Sequence, residues 1–329
     1  MKRGTMQDLV DFFHSREERM NKQFNEKILL EALGDEPWNL EDVYECYLAN
    51  RPVMEKILQE HDGYKIYAAL LEYKSFLNIA DKYYQSICDS IVFYKKMLSS
   101  SDGGESIFDI MSAASANINV LFWGYATACQ ALMDAETELQ KKHFKGDEEI
   151  EKLFNSSFEE LLGKKEAHYA VILLRNHLCH GMLTQFNCSY NKNIKEKVEE
   201  IRFYMRKEKI TALRLDHNTS NKRSIEKNAI GKSYLERDSD LVHLLADHYP
   251  PFKKFHETIR DIVKEHCTEK ISMCNSYFKE IYKFRFGIAS YMAKCAGQPA
   301  PKPFFPESDT YYIEYAMNEG AGNVTLEFK

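Results

Sequence analysis

Glycine and proline are both scarce, with 14 and 8 among 329 residues. The chain therefore has little of the material of turns and strand edges, which favours helices over a strand-and-turn architecture. No window approaches ~18 uninterrupted apolar residues, which excludes a helical membrane span. Met1-Lys-Arg-Gly-Thr5 leads into an amphipathic run and not an apolar one, unlike a secretory signal. The eight cysteines form no Cys-x-x-Cys pair, and most fall inside helical apolar patterns. They read as reduced, mostly buried thiols of a cytoplasmic protein. Also missing are a phosphate-cradling Gly-x4-Gly-Lys-Ser/Thr loop, a dinucleotide glycine pattern and His-Glu-x-x-His. Gly231-Lys232-Ser233 lacks the upstream glycine of a phosphate loop.

The chain has enough hydrophobic residues, 44%, to bury a substantial core, as one large or two intimate domains. Its net charge of −6 is unevenly spread: residues 192–237 carry +6, leaving −12 for the rest. A basic segment on an acidic body points to local contact with an anionic partner, against the alternative of a solvated mixed-charge face.

Helical patterns are expected over Gln7–Leu33, from Asn39, from Pro52, and from Asp62-Gly63 to about Leu98. Ser99-Ser-Ser-Asp-Gly-Gly104 is the clearest break in composition. Residues 1–100 thus read as an N-terminal helical region for partner contact or dimerisation. From Ile118 to Leu139, apolar residues step by three and four, marking a long helix. Shorter helices follow at Glu149–Leu162 and Glu166–His180, the second closed by Gly181. Beyond them we expect a helix at Glu196–Lys209, a short strand at Ile210–Leu215 and a polar loop over 216–236. Helices then cover Leu241–Tyr249, Pro251–His266 and Glu269–Ala296. Residues 297–329 form a Pro-rich linker and a β-hairpin, its strands Tyr311–Met317 and Val324–Phe328 flanking a glycine-rich turn.

The stretch that carries chemistry is Tyr169-Ala-Val-Ile-Leu-Leu-Arg-Asn-His-Leu-Cys-His-Gly181. At ~100° per residue, Arg175, Asn176 and His180 share one edge of a helix, with Leu174 and Leu178 on another. Histidine titrates near neutrality and suits proton transfer to and from hydroxyl oxygens. Arginine keeps its charge and grips two phosphate oxygens with a planar fork. Together they suffice for metal-independent cleavage of RNA. His177 falls on the far polar side, where a surface or interface position is expected. His168, His177, Cys179, His180 and Cys188 crowd one region, yet their directions diverge around the helix and no ligand spacing recurs, so no metal or cofactor is expected.

Leu174-Arg-Asn-His-Leu-Cys-His180 resembles the Arg-Asn-x3-His motif of HEPN ribonucleases. Ile118-Asn119 with Leu121, Asp134, Tyr169, Asp240-Leu-Val-His-Leu-Leu245 and Phe255-His256 are similar to the AbiF-like abortive-infection family, over residues 105–290. The sequence departs from that pattern in lacking an asparagine near Gly124 and in having His177-Leu-Cys where an aromatic residue is common. The resemblance implies an all-α fold: a HEPN helical bundle over 105–296 with the basic segment 192–237 inserted. It also implies a homodimer whose two motifs share one cleft, leaving 2′,3′-cyclic phosphate and 5′-hydroxyl ends. On that basis Arg175 would hold the scissile phosphate, His180 would act as acid or base, Asn176 would orient them, and Asn119 and His177 would support the site. Lys192, Lys195, Arg202, Arg206, Lys207 and Lys209 would guide RNA, and a regulatory small RNA is a second partner that the resemblance admits. The implied setting is cytoplasmic anti-phage defence; the competing expectation is a non-catalytic HEPN module that binds RNA or acts as an antitoxin.

Overall fold

Asp62 begins a helix that runs unbroken to Ser100 (α1), and after Gly63 no proline or glycine interrupts it. This is a computed structural model, and it describes residues 59–101, 105–179, 186–193, 198–215 and 221–279, with isolated positions between 297 and 317. The helices expected before residue 59 lie outside the described residues. The order continues α2 (Glu105–His143), α3 (Glu148–Leu161), α4 (Glu166–Cys179), β1 (Phe186–Asn193), β2 (Val198–Met205), α5 (Lys207–Thr211), α6 (Lys222–Arg237) and α7 (Leu241–His266). The described chain is thus predominantly helical, with one small antiparallel sheet.

The chain divides into two compact units, Met1–Ala68 with His266–Lys329, and Ala69–Glu265. The helices on either side of Ser99–Gly104, α1 beyond Ala68 and all of α2, belong to the second unit. In the first unit, a Cβ on Gly63 would sit 2.2 Å from the Lys270 carbonyl oxygen, so only glycine permits this approach to helical residues 268–279. There Asn275 Oδ1 accepts from the backbone N–H groups of Tyr312, at 2.9 Å, and Ile313, at 3.3 Å. Residues 312–314 and 316–317 are helical, correcting the strand expected at Tyr311–Met317. The second strand of that hairpin lies outside the described residues.

In the second unit, α4 and α7 occupy the interior. Along α7, Leu241, Leu244, Leu245, His248, Phe252, Phe255, Ile259 and Val263 form one buried stripe. It continues straight through Pro250 and Pro251, where two separate helices are expected from sequence. Each interior proline costs about 3 kcal/mol, and each large apolar side chain buried returns ~1.5–3 kcal/mol, so the stripe outweighs the two breakers. Gly146, at φ +83°, turns the chain after α2, and Asp147 Oδ1 accepts from Ile150 N at 3.2 Å to start α3.

Three expectations downstream of the motif are corrected. Val198–Met205 is a strand where a helix is expected, and it pairs Phe186 with Met205 and Cys188 with Phe203 in an antiparallel hairpin. These four side chains are buried, while Arg202 and Tyr204 alternate to the other face, the period-2 signature of a half-covered strand. Residues 207–211 make a helical turn in place of the strand expected over Ile210–Leu215. Residues 222–237 form α6, not a loop, with Asn221 Oδ1 accepting from Arg223 N at 3.0 Å as its cap. The buried face of α6 includes Asn228 and Gly231 as well as Tyr234 and Leu235, so hydrophobic periodicity does not reveal it.

Candidate active site

Helix α4 carries the motif and is buried on most of its circumference. Ala167, His168, Tyr169, Ala170, Val171, Leu173, Leu174 and His177 are all buried, while Ile172, Arg175, Asn176 and Leu178 are half-exposed. Helix α6 packs tightly on it, its Gly231 so close that a Cβ would meet the Tyr169 carbonyl at 2.5 Å. The side of α4 expected to face solvent is therefore covered. His177 sits on that side, fully buried, and its Nε2 lies 2.9 Å from the Arg214 carbonyl oxygen. It is a core histidine fastening the segment after α5, not a surface or interface residue. Its partner, the Arg214 carbonyl, lies 37 residues along the chain, and so distant a contact leaves no local trace in the sequence.

Arg175 and Asn176 stand near the C-terminal end of α4, and Arg175 Nη1 donates to Asn176 Oδ1 at 3.2 Å. Arg175 Nε is buried and has no hydrogen-bond partner among the described residues. A guanidinium offers five donors, and leaving one buried and unspent costs about 1–3 kcal/mol or more. His180 and Gly181 lie outside the described residues, one and two positions past the end of α4.

Asn119, on α2, is bonded to the chain where it re-emerges after the motif. Its Oδ1 accepts from Phe186 N at 2.8 Å, and its Nδ2 donates to Phe186 O at 2.9 Å and Ser115 O at 2.7 Å. Ser115 Oγ accepts from Cys188 N at 2.8 Å beside it, and the Phe122 and Phe186 rings pack edge to face. Asn119 thus braces the strand that follows the motif, and its amide is occupied there.

The residues expected to guide RNA divide into two groups. Lys192 on β1, and Arg206, Lys207 and Lys209 around α5, are exposed. Arg202 is committed: its Nε lies 3.2 Å from Asp240 Oδ2 and 3.8 Å from Glu200 Oε1. Asp240 is buried and caps α7 by accepting from Val242 N, so Arg202 serves that helix start. Lys195 lies outside the described residues. Two further lysines of the basic segment are also spent, since Lys232 Nζ donates to the Thr211 and Leu213 carbonyls at 2.9 Å each, and Lys227 stands over the Phe158 and Tyr169 rings.

A buried polar chain behind α4 escapes the motif-based reading of the sequence. Tyr125 Oη lies 2.6 Å from His248 Nδ1, and His248 Nε2 lies 3.3 Å from His168 Nδ1, with the two imidazoles stacked. Alongside, Tyr73 Oη bonds His256 Nδ1. With the tyrosine donating, the His248 ring accepts at Nδ1 and donates from Nε2, which requires it neutral. Burial holds all three histidines below their ordinary range, His168 at about 4. A signal for this chain exists in the sequence, because His248 and His256 fall on the apolar stripe of α7. Among the described residues, no group of three or more His, Cys, Asp or Glu side chains is placed to hold a metal. No helix among them is long and apolar enough to cross a membrane, and the cysteines at 88, 129, 188, 267 and 274 are free thiols. No family profile, no curated protein and no solved structure matches the chain.

Proposed function

We propose that this chain is a metal-independent HEPN-type endoribonuclease that acts as a homodimer. The observation that carries the reading is the Arg175–Asn176 pair near the C-terminal end of α4, with Arg175 Nε buried and unsatisfied among the described residues. A phosphodiester oxygen is the acceptor that such a guanidinium lacks. In the reaction, the ribose 2′-oxygen attacks phosphorus as its proton passes to a base, and the bond to the 5′-oxygen breaks as that oxygen takes up a proton. The products are a 2′,3′-cyclic phosphate and a 5′-hydroxyl, with no water consumed. His180 serves as acid or base, and Arg175 neutralises charge on the non-bridging oxygens. Asn176 fixes the direction of the guanidinium. Asn119 acts indirectly, through the strand after the motif, and His177 through the packing of α4.

Lys192, Lys195, Arg206, Lys207 and Lys209 lead RNA toward this edge, and abortive infection is the setting we assign from the family resemblance. Arg202 has a structural part in the capping of α7, which leaves the RNA track with one cation fewer than its sequence offers. That observation favours, as the second reading, a HEPN module that binds RNA or a toxin without turnover.

Incubation of the wild type, Arg175→Ala and His180→Ala with total and transfer RNA in EDTA decides between them. Cyclic-phosphate ends from the wild type, and silence from both variants at unchanged oligomeric state, are expected. Cleavage that survives in the variants sinks the site, and RNA binding without cleavage by the wild type selects the second reading.

A further inference from the structure

Between Asp109 and Asp134, helix α2 runs for twenty-four residues without a charged side chain or a histidine. A helix of that composition is normally enclosed on all sides. Among the described residues, α1, α4, β1 and α7 enclose only part of it. Val120 is 63% exposed and Trp123 54% exposed, on a strip that continues through Ala113 and Ala116.

The neighbouring edge of α1 completes the face. Gly124 meets the Tyr83 ring, and Asn117 Nδ2 donates to Ser90 Oγ at 3.2 Å, so the two helices pack closely side by side. Residues 79, 83, 86, 90, 93 and 97 of α1 step by three and four along this seam, and none is charged. Ile79, Phe93 and Met97 among them are exposed. Single exposed hydrophobics are ordinary, but a row shared by two packed helices marks a contact surface.

We infer that this α1–α2 face is where a second copy of the chain docks, related by a twofold axis. Self-association sets like against like near the axis, so a charged face on this acidic chain would repel its own image. This face has no charge to repel. Its outer rim on α1 carries both signs, Lys82 and Lys96 with Asp89 between them, so an antiparallel copy sets lysine against aspartate. From residue 79 to 97 the two helices present a surface about 27 Å long and about 20 Å wide, roughly 540 Å² in projection and so about two-thirds of the ~800 Å² each partner gives to a standard interface. The inference stands on the face alone and does not need the ribonuclease chemistry. It has a bearing on it, however, because Asn119 borders the strip on the β1 side and holds the strand that follows the motif.

Sedimentation velocity on the full chain, from below 1 to about 100 µM, tests it. The wild type is expected at twice the 38.5 kDa chain mass, with a concentration-dependent return to monomer. Val120→Glu with Trp123→Glu should be monomeric with unchanged helical circular dichroism. The milder Val120→Gln with Trp123→Gln should raise the dissociation constant at least about thirtyfold. Val92→Glu, exposed on another side of α1, should leave the dimer intact. A wild type that stays monomeric throughout, or a dimer that survives both double variants, overturns the inference. A monomeric variant that still cleaves RNA leaves this interface standing and instead defeats the shared-cleft mechanism, whereas loss of cleavage in a dimeric Arg175→Ala leaves both intact.

Discussion

Asn119 and Phe186 exchange two hydrogen bonds, the side-chain amide of one closing on both backbone groups of the other at 2.8 and 2.9 Å. The side chain does what a neighbouring strand would do, so β1 begins against a helix as if against a sheet. Leucine at position 119 is expected to unseat that strand start, leaving a buried N–H and C=O unpaired at a cost of about 1–3 kcal/mol each. Urea unfolding should show the loss of stability, and hydrogen exchange should show accelerated exchange at the Phe186 amide. An unchanged Phe186 exchange rate would mean that the clamp carries no load.

Acidification should weaken the fold between about pH 6.5 and 4, where an unfolded histidine takes a proton and a buried one does not. Burial lowers His168 to about 4, with Lys227 adding to it, and lowers His248 and His256 as well. The unfolded state thus binds more protons in this window, and stability falls as pH falls. Glu136, beside Tyr73, acts in the opposite sense: burial raises its carboxyl to about 7, so the native state keeps a proton that the unfolded state releases. Three histidines against one carboxylate leave the histidines dominant. Melting temperatures at pH 7.5, 6 and 5 should descend, more steeply in Glu136→Gln and less steeply in His168→Gln. A parallel pH dependence in all three proteins would refute the assignment.

Gly231→Ala tests how α4 is held. Its added carbon would fall 2.5 Å from the Tyr169 carbonyl carbon and oxygen, and backbone cannot swing aside as a side-chain tip can. A destabilisation of about 1–3 kcal/mol or more is expected, by the overpacking rule. Ala on the same helix at the exposed Lys222 should be nearly silent in the same thermal melt.

The exposed cations should separate from the committed one in salt titrations of RNA binding. Neutralising Arg206, Lys207 and Lys209 should flatten the salt dependence, by up to roughly 0.7 for each phosphate of single-stranded RNA that no longer meets a cation. Arg202→Ala should instead lower the melting temperature through Asp240 while changing the salt slope little. Equal effects from the two variants would show that the distinction drawn from their ion pairs is wrong.

How much of the fold is legible in the sequence depends on which residues bury each element. Helices α1 to α4 show themselves in apolar residues at three- and four-residue steps and in Gly163 and Asp147 at their ends. Helix α6 does not, because its buried side is built from Asn228 and Gly231, whose roles are a bond to the Leu215 carbonyl and the room to touch α4. The burial of His177 is equally hidden, since its partner is the distant Arg214 carbonyl. The strand at 198–205 is masked for a related reason: its glutamates and arginine also fit a helix surface, and only the partner strand selects period two. At the site, Arg175 and Asn176 are joined by a hydrogen bond, and His180 lies outside the described residues. Which cations are already spent depends on Asp240, Thr211 and Leu213, and partners so distant in sequence leave no local trace.

The chain of bonds from Tyr125 through His248 to His168 also has a consequence for descent. A core of leucines can drift one methyl group at a time, each step tolerated on its own. Here three positions on three different helices are joined by directional bonds, and altering one strands the next. Lineages that keep this fold should therefore inherit the three as a single character, or exchange all of them together for an apolar set. Their joint presence in another sequence would mark common ancestry more firmly than any match along its exposed surfaces.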